Sequence, residues 1–264
     1  WSSLAKQEFL LPPKDQQAQI AELLWAMDDV IEKDISVKDI LEKSYNVILN
    51  QFLIHGEFSD KGELVSSKCG LLDSRINSIV LKDCLIEKPS YGANAPSKNY
   101  IQNTPRYIRI TDIDDKGELV DEEIVSIDSM SYSEYLLKQD DFLIARTGNT
   151  VGKTFLYDES YGDCVYAGYL IRFRVDALKL LPKFLFHFSK SLKYETFKMK
   201  TIKVGAQPNI NAEEYQSMVI PYFSIEVQKR IVSRLELLVE NGKLIESKIS
   251  ASRSLQKSLI NQVF

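Results

Sequence analysis

The chain has 264 residues, of which 44% are hydrophobic and 27% are charged, and its formal net charge is -4. This length suffices for one large or two modest domains with a real core. The acidic balance argues against general coating of nucleic acid, although it leaves a local basic face open. No run approaches the ~18 apolar residues of a membrane span, and no tripartite leader is visible, so we expect a cytoplasmic protein that binds no membrane.

The reactive residue types are few and scattered. Three cysteines, Cys69, Cys84 and Cys164, lack the CxxC spacing of a metal or redox site, which is typical of structural thiols in a reducing compartment. The two histidines, His55 and His187, offer little from which to build an acid/base pair or a metal centre. The sequence therefore predicts a protein that is not an enzyme and has no cofactor and no metal.

One short pattern occurs twice at a constant separation of 211 residues. Each copy has an apolar segment, a proline, an acid and then a long helical pattern. The corresponding positions are Leu4 and Tyr215, Phe9 and Ile220, Gln17 and Gln228, Ile20 and Ile231, Leu24 and Leu235, with Pro12 and Asp15 in the first copy and Pro221 and Glu226 in the second. The chain thus reads as a little more than one period of a repeating unit.

The two copies lead into two long helices. Residues 1–13 are interpreted as the tail of a preceding element, and residues 14–56 as the first helix, because apolar side chains recur every three or four positions without an interrupting glycine or proline before Gly56. At 1.5 Å per residue this helix is roughly 60 Å long. Residues 223–264 predict a second helix of matching length, and the two are expected to pair as an antiparallel coiled coil.

The region between the helices has a mixed texture. Residues 57–75 are polar and are interpreted as a linker, and residues 76–222 predict an α/β (α+β) domain. Within this domain, residues 87–105 are a long polar loop of the kind that is commonly functional. The remaining expected elements are a strand or short helix at 79–86, strands at 107–113 and 141–145, a returning strand at 153–157, a strand pair at 164–175 and a helix at 182–199.

The stretch GNTVGKT at residues 148–154 invites a nucleotide-binding interpretation. Its glycines have three residues between them where a phosphate-binding loop has four, and a strand pattern follows where a helix should begin. We therefore predict a hairpin turn with glycine at positive φ. Similarly, Asp112, Asp114 and Asp115 lack a calcium-loop spacing and predict a solvated turn.

Basic residues are concentrated toward the end of the domain. Between residues 179 and 203 seven lysines face a single acid, Glu195, and aromatic residues lie between them. An amphipathic helix explains the aromatic residues, but the local charge in an acidic protein favours phosphate binding. The lysines are Lys179, Lys183, Lys190, Lys193, Lys198, Lys200 and Lys203.

Taken in order, these parts resemble the DNA-specificity (S) subunit of type I restriction-modification systems. The resemblance is carried by the repeated helix-start motif at residues 13–20 and 221–231, by DFLIARTGNTVGKTFLY at 141–157 and by GAQPNINAEEYQSMVIPYF at 205–223. It covers about one half-repeat, with one target-recognition domain, two conserved helices and a recognition-domain-like tail at residues 1–13. Half of an S subunit, a fragment, and a natural half-subunit that pairs with a second copy all stay open.

The resemblance implies a non-catalytic role. The recognition domain is expected to read one half of a bipartite site in double-stranded DNA, while the helices set the distance to the other half and dock the methyltransferase (M) and restriction (R) subunits. A coiled-coil scaffold whose α/β head binds protein is the alternative. Loop position and side-chain chemistry predict the DNA contacts. These are Lys98, Asn99, Arg106, Arg109, Arg146, Thr147, Asn149, Lys153, Lys203, Gln207 and Asn209.

Overall fold

A computed structural model of the chain describes residues 12–58, 60, 62–129, 131–202 and 207–263. Most of the predicted tail at residues 1–13, the repeat positions Leu4 and Phe9 and the predicted DNA contact Lys203 lie outside the described residues. The chain divides into two compact units, one of Trp1–Val47 with Arg234–Phe264 and one of Ile48–Ser233. None of the helices in the described ranges is long and apolar enough to cross a membrane.

The described residues form five α-helices. Their bounds are α1 (Lys14–His55), α2 (Pro182–Phe188), α3 (Leu192–Thr201), α4 (Ala212–Gln216) and α5 (Ile225–Val263). The two long helices therefore confirm the periodicity of the sequence, but the prediction of one helix at 182–199 is wrong. Ser191 separates α2 from α3, because its side chain accepts a hydrogen bond from the Tyr194 backbone N–H and so caps a new helix.

In the first unit, α1 and α5 run antiparallel. Ile31 and Ile249 are both buried there, as the apolar seams predict. Three polar side-chain pairs flank these residues, and the residue number falls along α5 as it rises along α1. The pairs are Asp28 with Gln256 at 2.6 Å, Asp34 with Lys248 at 2.9 Å and Lys38 with Glu246 at 3.0 Å.

The second unit is built on short strands in four sheets. The strands are β1 (Leu64–Ser67), β2 (Gly70–Asp73), β3 (Asn77–Val80), β4 (Ser90–Tyr91), β5 (Ser97–Asn99), β6 (Arg106–Ile108), β7 (Val125–Ile127), β8 (Phe142–Ala145), β9 (Thr154–Leu156), β10 (Cys164–Tyr166), β11 (Leu170–Phe173) and β12 (Val219–Tyr222). The two larger sheets have the orders β10-β6-β7-β5 and β4-β11-β8-β9, and the smaller ones pair β1 with β2 and β12 with β3. Among these pairs β10 and β6 are parallel and the others antiparallel.

The sheet that contains β6 and β10 is covered on both faces. Ile108 and Tyr166 belong to one buried cluster, while Tyr107 and Val165 belong to another. This alternation follows from the two-residue period of a strand. The predicted strand pair at 164–175 is present, but its members diverge, because β10 pairs with β6 whereas β11 pairs with β8 and β4.

Residues 57–75 are more than a linker. They contain the β1–β2 hairpin, which turns into β2 at Gly70 with φ of 92°. Asp73, at its end, is buried and accepts hydrogen bonds from the Arg75 guanidinium. These bonds hold the pKa of the Asp73 carboxyl well below its usual range. The polar composition concealed the hairpin because β1 and the first half of β2 are solvent-facing.

The repeated motif has the same geometry at the start of both long helices. Gln17 Nε2 donates to the Pro12 carbonyl at 2.6 Å, and Gln228 Nε2 donates to the Phe223 carbonyl at 2.9 Å. In the second copy, Gln228 is buried and also joins the segment before α2. Its Nε2 donates to the Lys179 carbonyl at 2.9 Å, and its Oε1 accepts from the Leu181 N–H at 2.8 Å. The glutamine thus fixes both helix starts locally and adds a long-range clamp in one of them.

Several lysines of α3 and of the segment between α2 and α3 make contacts within the second unit. Lys193 Nζ donates to the Leu71 carbonyl at 2.7 Å, and Lys198 Nζ pairs with Glu195 at 2.8 Å. Lys190 Nζ lies 4.8 Å from the Phe186 ring centroid. Burial lowers the pKa of Lys190 to about 8. The lysines that are concentrated in this stretch of the sequence are therefore largely engaged in contacts within the second unit.

The glutamine clamp predicts an asymmetry between the two copies. Replacing Gln228 with alanine leaves two carbonyls and one N–H without their partner, so we expect a loss of about 3 kcal/mol in the free energy of unfolding. Gln17→Ala is the matched control, and with one described hydrogen bond it should lose about 1 kcal/mol. Urea denaturation followed by circular dichroism measures both losses, and equal losses would contradict a specific role for the second copy.

The buried lysine predicts a pH dependence. Because the folded-state pKa of Lys190 is about 8 and its ordinary value is 10.5, the unfolded chain binds a proton between these values that the folded chain does not. Stability therefore rises with pH across this window. Relative to Lys190→Met, the wild type should gain stability as pH is raised from about 7 to about 10.5. Thermal melts at a series of pH values test this, and a constant difference would rule it out.

Candidate nucleic-acid interface

A concave cleft of about 650 Å³ opens in the second unit. Its walls come from the loop that follows β4, the residues after β6, the end of β8 and the turn between β10 and β11. The polar and aromatic side chains that line it include Tyr91, Asn94, Arg109, Thr111, Arg146 and Tyr169. Such a mixture supplies hydrogen-bond donors, acceptors and flat apolar surfaces to one ligand.

The wall after β4 is held by backbone contacts. The Tyr107 hydroxyl donates to the carbonyls of Ala93 and Ala95 at 2.8 and 3.0 Å. Gly92 lies so close to the β10–β11 turn that a Cβ would collide with the carbonyl oxygens of Tyr166 and Ala167. Only glycine permits this approach. A part of the long polar loop is therefore ordered, and it presents Asn94 to the cleft.

The wall after β8 is a ladder between two distant loops. The Ile210 N–H donates to the Arg146 carbonyl at 2.9 Å, and the Gly148 N–H donates to the Pro208 carbonyl at 2.9 Å. Thr147 and Asn209 oppose each other in an antiparallel bridge. The glycine turn is thereby joined to the segment that leads into α4.

This ladder brings together many of the predicted DNA contacts. Arg109 and Arg146 both line the cleft. Thr147 is half-buried next to Arg146, and three exposed amides lie on the same two loops. The amides are Asn149, Gln207 and Asn209. Their side chains can donate and accept hydrogen bonds, as direct reading of base edges requires.

Two of the predicted arginines are neutralised inside the protein. Arg109 binds Asp112 through Nε and Nη2, and Asp112 is buried. These bonds raise the pKa of the Arg109 guanidinium above its ordinary value. Arg106 donates to the Asp121 carboxylate at 2.6 Å, and its side chain is 10% exposed. Arg106 does not line the cleft, and its charge is neutralised by Asp121 within the domain.

The remaining predicted contacts lie apart from the cleft lining. Lys98 and Asn99 are exposed on β5, where Lys98 Nζ lies 3.2 Å from the Asp128 carboxylate. Lys153 binds Asp115 at 3.0 Å and the Ile113 carbonyl at 3.2 Å. The pKa of the Asp115 carboxyl is lowered by this lysine. These positions stay predictions, and the structure assigns Lys153 a partner of its own.

The glycine turn has the hairpin geometry that the sequence predicts. Gly148 and Gly152 have φ of 69° and 84°, and β9 follows them and pairs antiparallel with β8. The aspartate turn is different from the prediction, because Asp112 is buried by its bonds to Arg109. Within the described ranges, no group of three or more histidine, cysteine, aspartate or glutamate side chains is placed to hold a metal ion.

Sequence reasoning missed six polar or aromatic cleft residues. These are Tyr91, Asn94, Ser97, Tyr107, Thr111 and Tyr169. Tyr91 and Asn94 lie in the long polar loop. The length of this loop indicated a functional segment, but nothing in the sequence pattern distinguished these two residues from their neighbours. Tyr169 is 60% exposed in the turn between two buried strands. An exposed aromatic residue in a tight turn is the signal that could have identified it.

Comparisons of the sequence and fold with known proteins show which family the chain resembles. Residues 80–252 match the family described as type I restriction modification DNA specificity domain. The chain is 21% identical over 267 aligned positions to the type I restriction enzyme StySPI specificity subunit of Salmonella potsdam, an alignment that covers 96% of this chain and 56% of the relative. The chain therefore spans about half the length of this curated relative.

Solved structures show the same fold. The HsdS subunit from Thermoanaerobacter tengcongensis has a TM-score of 0.59 at 17% identity, covering 96% of this chain and 59% of that one. The S subunit from M. genitalium has a TM-score of 0.60 at 15% identity, covering 95% and 61%. A structure from work on complex assembly and conformational transition of the type I R-M system has a TM-score of 0.61 at 17% identity, covering 96% and 60%. The resemblance to a specificity subunit is thus confirmed, and the chain belongs to the family of type I restriction-modification DNA specificity domains.

Proposed function

We propose that the second unit reads one half of a bipartite site in double-stranded DNA, as the sequence-recognition part of a cytoplasmic type I restriction-modification complex. The cleft carries this proposal. The Arg146 side chain lines it, and backbone hydrogen bonds join the two loops that carry Arg146 and the exposed amides. This chemistry suits the edges of bases, whereas a general polyanion site would present several unpaired lysines.

The charge distribution indicates that affinity for DNA and choice of sequence come from different subunits. The chain has a net charge of -4, and much of the lysine and arginine charge around the cleft is paired internally. Since sequence-independent affinity comes mainly from neutralised phosphates, this chain alone supplies little of it. We propose that the M and R subunits provide most of the phosphate contacts and that this chain supplies the choice of sequence.

The long helices carry a second apolar face that fits the docking of those subunits. On α1, Leu23, Val30 and Val37 recur at seven-residue intervals and are each more than 40% exposed, and Ile40 and Val47 follow at 61% and 56%. On α5, Leu237 and Leu244 are also exposed and seven residues apart. A seven-residue apolar repeat is the pattern of a helix that packs against other helices. We propose that helices of an M subunit cover this face.

The second half of the site needs a second reader. Because both long helices start with the same glutamine geometry, we propose that a recognition domain like the second unit is also associated with the start of α1. A second copy of this chain is one source of that domain, and a further domain of a longer subunit is the other. A palindromic split motif in methylated DNA would indicate two copies, and an asymmetric one a longer reader.

Charge reversal tests DNA recognition against a protein-binding scaffold. The double variant Arg146→Glu with Lys203→Glu should bind specific DNA about 100-fold more weakly, because it removes the Arg146 donors from the cleft lining and reverses two positive charges of the chain. Lys82→Glu with Lys138→Glu, at exposed lysines away from the cleft lining, is the matched control. Fluorescence anisotropy of the complex with M subunits measures the affinity. If both double variants bound DNA like the wild type, the cleft would not be the DNA site.

Polar substitution tests the helix face. Val37→Asp with Ile40→Asp should weaken M-subunit binding by at least about tenfold, because buried apolar anchors dominate such interfaces. Asp39→Asn, on the same exposed stretch of α1, should leave binding unchanged. Calorimetric titration of M subunit measures the affinity, and circular dichroism verifies that the helices persist. Unchanged M binding with intact helices would exclude this face as the dock.

A further inference from the structure

Six of the seven arginines in the second unit are neutralised by carboxylates. In the residues that the structure describes, each has an acidic side chain within 4.0 Å of a guanidinium nitrogen. The pairs are Arg75 with Asp73, Arg106 with Asp121, Arg109 with Asp112, Arg172 with Glu87, Arg174 with Asp141 and Arg230 with Glu57. Arg146 is the seventh, and none of the described carboxylates pairs with it.

The backbone of Arg146 is held from both sides. Its N–H donates to the Tyr169 carbonyl at 2.9 Å, and its carbonyl accepts from the Ile210 N–H at 2.9 Å. It directly follows the buried end of β8, where Ala145 is fully enclosed. The Cα of Arg146 therefore has little freedom, and the position of its side chain is set by the domain.

The side chain is oriented by stacking. The Arg146 guanidinium carbon lies 4.9 Å from the Tyr91 ring centroid. The Tyr91 hydroxyl accepts from the Ala212 N–H at 3.2 Å, so the ring is tethered to the start of α4. Stacking of a guanidinium on an aromatic face is attractive and restricts the plane of the fork. The arginine is thus ordered before any ligand arrives, which lowers the entropic cost of binding.

The hydrogen-bonding capacity of this guanidinium is unused within the described residues. Its Nε is buried and has no partner there. The Nε atoms of Arg106 and Arg172 are in the same state, but both of those guanidinium groups also pair with a carboxylate. Arg109, in the same cleft, has its donors occupied by Asp112 and Glu123. Arg146 is therefore the cleft cation that can still serve a ligand.

The geometry favours a planar acceptor over a point charge. A phosphate is satisfied by a lysine ammonium, and this chain has many lysines. A guanidinium held over the Tyr91 ring offers parallel N–H groups, which match the O6 and N7 acceptors of guanine in the major groove. Discrimination between bases requires hydrogen-bond donors in fixed positions. The ordering of Arg146 by Tyr91 therefore favours recognition of a base over attraction to the DNA phosphates.

We infer that Arg146 is a specificity-determining residue that reads one guanine of the half-site, with Tyr91 as its positioning residue. This inference rests on the proposed DNA-reading function. It implies that the remaining polar groups of the two loops contribute less than Arg146 to discrimination at that base pair. It also predicts that a change at Arg146 alters one position of the recognised sequence and leaves the others readable.

The test uses the chain in complex with M subunits and a library of duplexes randomised through the half-site. Wild type, Arg146→Lys and Arg146→Ala are compared by binding selection and sequencing. The expected result is a loss of about 10- to 100-fold in discrimination for guanine at one position, in both variants. Arg146→Lys keeps the charge and most of the volume, so it supports the test if the alanine variant folds poorly.

Matched variants separate the possible outcomes. Tyr91→Ala should reduce discrimination at the same position, while Tyr91→Phe and the remote Lys138→Ala should retain it. Uniform weakening at every position, with a smaller salt slope, would show a phosphate contact and overturn the inference while leaving DNA recognition intact. An unchanged preference in Arg146→Ala would overturn it as well. A wild-type complex that bound all duplexes equally would instead refute the proposed function itself.

Discussion

The candidate interface depends on one ladder of backbone hydrogen bonds. The carbonyl of Arg146 and the N–H of Gly148 bond to Ile210 and Pro208, about sixty positions away along the chain. This ladder joins the glycine turn to the start of α4 and sets the place from which Arg146 enters the cleft. Without it, the turn would be a free hairpin tip. The recognition loops are therefore anchored on buried strands, and their exposed side chains are free to vary with little effect on the core.

Charge within the second unit is used mainly to hold loops and strand ends. Asp141 is buried and accepts from the Arg174 guanidinium, which also binds Glu87 in the polar loop. Arg109 is bound by Asp112 in the same way. Removing either member of such a pair would leave an uncompensated charge in a poorly solvated place. An acidic protein can thus carry many basic residues near a candidate nucleic-acid interface while leaving few of them unpaired.

The repeated helix start is a local feature that the two long helices share. Gln17 and Gln228 close the same hydrogen bond to the carbonyl five residues earlier, so each long helix begins in the same way. In the second copy the glutamine also binds Lys179 and Leu181. These extra bonds join the start of α5 to the segment before α2. The local hydrogen bond is therefore common to both copies, and the long-range bonds are described for Gln228.

The sequence by itself determined the elements whose bonds are local. The long helices, their apolar seams and the hairpin turn with positive-φ glycines follow from residues a few positions apart. The ordered motifs also sufficed for the resemblance to a specificity subunit. Only the tertiary structure decided the parallel pairing of β6 with β10, the break before α3, the hairpin inside the supposed linker, and which arginines are neutralised. The parallel pairing and ion pairs such as that of Arg174 with Asp141 depend on partners far apart in the chain. The break before α3 and the hairpin are local, but their residue patterns did not distinguish them from a continuous helix and a polar linker. The charge composition gives the number of cations but does not show which of them the fold places next to a carboxylate. For this reason the sequence predicted Arg106, Arg109 and Arg146 alike as DNA contacts, whereas the structure separates them.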